Sequence, residues 1–194
     1  LGGTTFGSEL TVKSTEFKSR VNLDNTQYEG PVTILQTNFA GGLSCEAATF
    51  ADEMSFFAVN CNGAADFKAT TFEKEADFRE TEFHAASTFD NAAFGGRASF
   101  EEVVFHDDAQ FNSVEFDGFA AFTSEFQGTA AFDSTQFAAY TTFQETTIAG
   151  PAEFESITCD ETVRFHDTTF EAATTFDYAV FRDLVDFENT TFAA

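Results

Sequence analysis

The sequence predicts an all-β protein, a four-sided parallel β-helix (β-solenoid) with about 22 residues per coil and about nine coils. Three observations lead to this class. Phenylalanine recurs at alternating steps of five and six residues along the 194-residue chain. A small or apolar residue stands two positions before most of these phenylalanines. Glycine or aspartate recurs in the longer of the two linkers that separate the units.

The phenylalanines form two interleaved series of core positions, and each series advances by 11 residues. The first series starts at Phe6 and the second at Leu1. Only two of the 29 phenylalanines, Phe57 and Phe119, lie outside the series. A coil of about 22 residues encloses four such positions, so that phenylalanines stack in ladders inside the coils at the strand spacing of about 4.8 Å.

The residues that precede the phenylalanines indicate strands rather than a helix. Ala76 precedes Phe78 by two positions, and Val103 precedes Phe105 in the same way. Residues two apart point to the same face of an extended strand, whereas in a helix they lie on nearly opposite sides. The abundance of threonine, phenylalanine and glycine also argues against a helix.

The three-residue linkers are expected to form corners. Gly96, Gly118, Gly128 and Gly150 are among the glycines at the second position of such a linker. Glycine tolerates left-handed or tight backbone conformations, so these residues mark the predicted corners.

The chain is expected to form a single solenoid domain over residues 1–194. Residues 1–60 form less regular coils, in which Val, Leu, Ile or Cys replaces Phe and the residue two positions earlier is larger. Such compensating changes keep the core volume roughly constant. Residues 61–194 form regular phenylalanine coils, with one residue deleted between Phe122 and Phe126.

Units such as ADFRETEF, ASFEEVVF and ATTFEKEADF resemble pentapeptide-repeat proteins. The unit of that family is alanine, a polar residue, leucine or phenylalanine, and two polar residues. This sequence is similar to the phenylalanine-rich variety with a repeat of five plus six residues. The resemblance covers nearly the whole chain and implies a right-handed quadrilateral β-helix. It specifies no function, because one fold hosts several.

The charge of the chain restricts its partners. Acidic residues outnumber basic ones 33 to 9, which gives a net charge of -24. Such a surface repels nucleic acid, so no direct nucleic-acid binding is expected, and it suits a basic protein partner or concentrated salt. No apolar run approaches the roughly 20 residues of a membrane span.

Many of the acids are predicted to stack on one wall, where each follows a position of the second series. Like charges on neighbouring strands repel, and salt, bound Ca²⁺ or Na⁺, or a basic partner would relieve that repulsion. A solvated acidic face is the simpler interpretation. This acidic ladder comprises Asp24, Glu46, Asp90, Asp133, Glu155 and Asp177.

Histidines are the candidate metal ligands. His84 and His106 are 22 residues apart and should stack on neighbouring coils, and Asp107 and Asp108 follow. These four residues are candidates for a metal site, against the simpler reading of solvated side chains. No catalytic motif is present, so we expect no enzyme, no catalytic residues and no cofactor.

The three cysteines all occupy core positions of the two series. Buried thiols are therefore expected for Cys45, Cys61 and Cys159. Cys45 and Cys61 fall on adjacent walls of successive coils, which leaves a disulfide open.

An apolar stripe is expected on the outside of another wall. Phe119, Tyr140 and Leu184 occupy equivalent positions there, three residues before a core position. These residues are candidates for a lateral contact surface.

The two open edges of a solenoid invite pairing with another chain. The repeat runs from Phe6 to Phe192 without a capping element, and the first residue is not methionine. We therefore expect a non-enzymatic structural protein, extracellular or at the cell surface. Its copies would stack head to tail into a filament or form a scaffold.

The resemblance implies an alternative function. Some pentapeptide-repeat proteins mimic DNA and bind a topoisomerase such as DNA gyrase, which would place this chain in the cytoplasm. Those proteins commonly dimerise through a C-terminal module, which this sequence lacks.

Overall fold

The computed structural model describes residues 2–193, so Leu1, the first position of the second series, lies outside the described residues. Residues 2–193 form 35 short strands in four parallel sheets and contain no helix. Each sheet is one wall of a solenoid, and we call the walls A, B, C and D in chain order. The predicted four-sided β-solenoid of about 22 residues per coil is confirmed.

Walls A and C carry the first series, and each of their strands ends on a core residue. Wall A consists of Thr5–Phe6, Gln27–Tyr28, Thr49–Phe50, Thr71–Phe72, Ala93–Phe94, Glu115–Phe116, Gln136–Phe137, Thr158–Cys159 and Val180–Phe181. Wall C consists of Glu16–Phe17, Asn38–Phe39, Asn60–Cys61, Glu82–Phe83, Val104–Phe105, Glu125–Phe126, Thr147–Ile148, Thr169–Phe170 and Thr191–Phe192.

Walls B and D carry the second series, and most of their strands end one residue before the core position. Wall B consists of Leu10–Lys13, Val32–Leu35, Met54–Phe57, Ala76–Asp77, Ala98–Ser99, Ala120–Ala121, Thr141–Thr142, Val163–Arg164 and Val185–Asp186. Wall D consists of Val21–Asn22, Leu43–Ser44, Ala65–Asp66, Ser87–Thr88, Ala109–Gln110, Ala130–Ala131, Ala152–Glu153 and Thr174–Thr175.

Aromatic rings fill the interior of the solenoid in two kinds of contact. Along each wall the rings stack, as for Phe78 on Phe100 at 4.9 Å between centroids and 3° between planes. Across the interior the rings of walls B and D meet edge to face, as for Phe78 and Phe89 at 5.4 Å and 90°. Such pairs contribute about 0.5–1.5 kcal/mol each beyond the burial of apolar area.

Threonine occupies many of the small inner positions because its hydroxyl has a fixed partner there. The Thr70 hydroxyl donates to the Cys45 carbonyl at 2.8 Å, and the Thr81 hydroxyl donates to the Phe56 carbonyl at 2.6 Å. Each bond links one coil to the coil before it. A buried hydroxyl is therefore satisfied at the position where alanine or valine would otherwise stand.

The corners differ from the expectation that glycine provides the left-handed turns. Apart from Gly3 in the first linker and Gly42 in a longer one, the left-handed residues are not glycine and stand second in the two-residue linkers, as at Ala69 (φ 54°) and Glu80 (φ 56°). Gly96 and Gly118, in the longer linkers, do not adopt positive φ. A Cβ on Gly118 would lie 2.4 Å from the Gly96 carbonyl oxygen. Glycine is therefore needed there for the close approach of successive coils.

The residue deleted between Phe122 and Phe126 is a corner residue. The linker there is Thr123 alone, and the left-handed residue found at the neighbouring corners is missing. Strand partners on either side are 21 residues apart rather than 22, as for Val104 and Glu125. The walls continue through this coil because the deletion lies between strands.

Within residues 2–193, no helix is long and apolar enough to cross a membrane.

Replacing Tyr28 with phenylalanine is expected to raise the free energy of unfolding by about 1 kcal/mol. Tyr28 is buried between Phe6 and Phe50, and among the described residues its hydroxyl has no hydrogen-bond partner. Urea unfolding of Tyr28→Phe checks this, with Phe50→Tyr as the reverse substitution one coil further on. A loss of stability in Tyr28→Phe would contradict the assignment of the hydroxyl as unpaired.

Candidate functional surfaces

The acidic ladder lies along wall D, with each member directly after a core residue. Three of its six carboxylates, those of Asp24, Asp90 and Asp133, accept hydrogen bonds from the next coil. The backbone N–H of Asn112 donates to Asp90 Oδ1 at 2.9 Å, and that of Asp133 donates to Asn112 Oδ1 at 3.1 Å. The N–H of Glu155 then donates to Asp133 Oδ1 at 2.9 Å. Side-chain oxygens therefore join four successive coils through backbone N–H groups.

The rest of the ladder follows the same principle with local variations. Asp24 accepts hydrogen bonds from the N–H of Glu46 at 3.1 Å and from the Ser44 hydroxyl at 2.5 Å. The N–H of Asp177 is instead bound by the Thr175 hydroxyl of its own strand at 3.2 Å. The backbone N–H of the residue after the core position thus needs a side-chain oxygen as its acceptor, and Asp, Asn or Thr side chains provide it. The sequence showed the stacked charges but gave no sign of this backbone donor.

Asp133→Ala is expected to lower the free energy of unfolding by about 1 kcal/mol, because the N–H of Glu155 loses its acceptor. Asp133→Asn should keep the acceptor and remove one charge from a repelling column, so its stability should equal or exceed that of the unmodified chain. Thermal and urea unfolding at low salt compare the two. Equal losses in both variants would show that the charge, rather than the acceptor, stabilises wall D.

The structure brings His84 and His106 together on the outer side of wall C. Their rings stack with centroids 4.5 Å apart and planes 6° apart. Both Nε2 atoms face one carboxylate oxygen, Glu82 Oε2, at 3.3 Å from His84 and 3.4 Å from His106. Glu82 was not among the candidate ligands from the sequence, although it precedes His84 by two residues and so shares its face.

Asp107 and Asp108 lie apart from this cluster, which corrects the expectation that they join the histidines. The carboxylate of Asp107 accepts the N–H of Asp108 at 2.9 Å, and that of Asp108 accepts the N–H of Thr129 at 2.8 Å. Both carboxylates therefore stabilise the corner after wall C instead of pointing toward the imidazoles.

His166 lies in a second, different cluster. Its Nε2 is 2.8 Å from the carboxylate of Asp167, and its Nδ1 is 3.8 Å from that of Glu188. Asp186 and Glu188 can approach the same point. This cluster contains a single imidazole, and the residue adjacent in sequence already binds it.

The predicted apolar stripe is an arginine–aromatic stack on wall B. The rings of Phe119 and Tyr140 are parallel, with centroids 5.5 Å apart and planes at 5°. The guanidinium of Arg97 lies 5.2 Å from the Phe119 ring, and that of Arg164 lies 5.7 Å from the Tyr140 ring. These cations cover part of the rings, so both aromatic side chains are half-buried. Leu184, at the equivalent position near the end of the wall, is exposed.

The cysteine side chains are buried and free, so the Cys45–Cys61 disulfide that the sequence left open is not formed. Burial raises the pKa of the Cys61 and Cys159 thiols to about 12, and it raises the pKa of Cys45 as well. The thiolate is the reactive form, so these cysteines are core side chains rather than nucleophiles at neutral pH.

Comparison with known proteins identifies the repeat. A family model described as pentapeptide repeats (nine copies) matches residues 56–104. Residues 56–104 are therefore pentapeptide repeats. The resemblance noted in the sequence is thereby confirmed, and the strand pairing extends the same coils over residues 2–193.

Two further comparisons were with curated protein sequences and with solved structures. No curated protein sequence matches this chain. Among solved structures it is similar to HetL, a pentapeptide-repeat protein involved in heterocyst differentiation regulation from the cyanobacterium Nostoc sp. strain PCC 7120. The identity is 8%, the alignment covers 98% of this chain and 87% of HetL, and the TM-score is 0.36. No conclusion about function rests on that similarity.

Proposed function

We propose that this chain is a non-enzymatic structural protein whose copies stack end to end. One observation carries the proposal: the exposed large hydrophobic side chains of the described residues all belong to the last coil. They are Tyr178 (81%), Val180 (45%), Leu184 (55%), Phe187 (39%) and Phe192 (52%). In the middle of the rod, the core aromatic residues are at most 1% exposed. A second solenoid end would cover this surface.

The first coil offers matching groups to such an end. Phe6 and Phe17 are its core residues on walls A and C, where the last coil has Phe181 and Phe192. A copy placed in the register of the rod would stack these rings as Phe170 stacks on Phe192, at 4.8 Å. The strands would also continue the parallel pairing across the junction.

Charge favours the same arrangement. Residues 2–20 hold three cations and two carboxylates, whereas residues 172–193 hold one arginine and four carboxylates. The two ends therefore differ in sign although the whole chain carries a net charge of -24. Self-repulsion between the rods is screened in concentrated salt, where the Debye length is about 3 Å at 1 M. We propose an assembly outside the cell or at its surface in such a medium.

Negative-stain electron microscopy and light scattering of the chain in molar and low salt test the assembly. We expect filaments longer than the single rod of about 40 Å, most abundant in molar salt. Phe192→Asp should abolish them, because it places a charge at the exposed aromatic end.

Tyr140→Asp is the matched control, since it places the same charge on the side of the rod. Filaments that survive Phe192→Asp but not Tyr140→Asp would mean lateral association. A monomer in both salts would contradict the proposal.

A second function, a DNA mimic acting on DNA gyrase, is favoured by the column of carboxylates along wall D. Asp90, Asp133 and Glu155 repeat with the coils on a narrow rod. Gyrase supercoiling in the presence of micromolar protein tests it. Inhibition that weakens in a variant with Asp90→Asn and Glu155→Gln would support the mimic, and supercoiling at the normal rate would exclude it at that concentration.

A further inference from the structure

We infer that Glu82, His84 and His106 form a site for a divalent transition-metal ion, Zn²⁺ above all, on the outer side of wall C. The three side chains come from two neighbouring coils, and their ligand atoms all lie within 4.8 Å of one another. Two imidazoles and one carboxylate are a donor set that zinc binds in proteins, with further positions left open to water.

The repeat itself holds these residues in place. Glu82 and His84 flank the core residue Phe83, so both point outward from the same strand region. Phe83 pairs with Phe105 on the next coil, which places His106 directly beside His84. The Phe83 and Phe105 rings are fully buried and stack at 5.1 Å, so the backbone beneath the three ligands is rigid. A site on such a support loses little conformational entropy on binding.

Neighbouring side chains leave His106 Nε2 with a lone pair. Gln127 Nε2 donates to Glu125 at 2.8 Å, which orients the amide so that its oxygen faces His106 Nδ1 at 3.1 Å. Nδ1–H therefore donates to Gln127, and Nε2 is the acceptor atom of the neutral ring. That acceptor faces the Glu82 carboxylate oxygen, which is also an acceptor. A cation between them turns a repulsive contact into two bonds.

The distances suit zinc. Bonds of about 2.0–2.1 Å in tetrahedral geometry separate two ligand atoms by about 3.3–3.4 Å. Glu82 Oε2 already lies 3.3 Å from His84 Nε2 and 3.4 Å from His106 Nε2. The parallel rings require one adjustment, a rotation about the Cβ–Cγ bond that turns one lone pair toward the other. The side chain of His84 is 36% exposed, so it has room for that rotation.

Titration calorimetry of the chain with Zn²⁺ tests the site, in a buffer that contains excess Mg²⁺ to occupy the surface carboxylates. We expect one saturable Zn²⁺ site. His84→Ala, His106→Ala and Glu82→Gln should each weaken Zn²⁺ binding by about tenfold or more. These side chains lie outside the core, and circular dichroism verifies that each variant keeps the fold. Co²⁺ should give visible absorption bands that the two histidine variants lose.

His166→Ala is the matched control, because it removes an outward imidazole from a comparable acidic cluster and should leave the Zn²⁺ affinity unchanged. Equal weakening by His166→Ala, or Zn²⁺ binding that persists in the double variant His84→Ala/His106→Ala, would show adventitious binding to the acidic surface. Absence of saturable Zn²⁺ binding would likewise overturn the inference. Filament formation is a separate readout, since Glu82, His84 and His106 lie at least four coils away from the exposed Phe192 at the end of wall C.

Discussion

Parallel backbone hydrogen bonds join each coil to the next, so almost every residue lies beside the residue 22 positions away. The donors and acceptors alternate along a coil, as where Phe67 donates to the Thr88 carbonyl and Ala69 donates to the Asp90 carbonyl. This pairing forces like side chains into columns. Inside, the columns are aromatic and gain from burial and stacking. Outside, they bring carboxylate next to carboxylate and imidazole next to imidazole. Repulsion between these like groups must be offset by other contacts.

Many of the outer charged and polar side chains are stabilised by hydrogen bonds or cation–π contacts with their neighbours. Asp90 and Asp133 accept backbone N–H groups from the following coil, which offsets part of the repulsion along wall D. Arg97 and Arg164 lie against the Phe119 and Tyr140 rings of wall B. On wall C, the stacked imidazoles of His84 and His106 share one carboxylate, that of Glu82, between their two Nε2 atoms.

The sequence was sufficient to predict the solenoid because its core pattern has a single strong period. Phe78 and Phe100 could be assigned to one ladder by counting alone, and their rings do stack. The reason for glycine at the corners could not be predicted from the sequence. Gly118 suggested a left-handed turn, but glycine is needed there because the Gly96 carbonyl of the preceding coil lies so close. That contact exists only once the coils are stacked. Likewise, the carboxylate that faces the histidines is that of Glu82, two residues before His84. The sequence pattern had favoured Asp107, whose carboxylate instead accepts a backbone N–H at the corner.

The single-residue linker at Thr123 shows that the length of a coil is not fixed by the strands it joins. The walls before and after this corner remain paired, so a change in chain length there is absorbed locally by the backbone between Phe122 and Phe126. A corner that tolerates a deletion is also a natural place for an insertion, since the added residues would leave the rod as a surface loop. The rod could thus present a foreign peptide at a defined height along its axis, as a rigid carrier for an epitope.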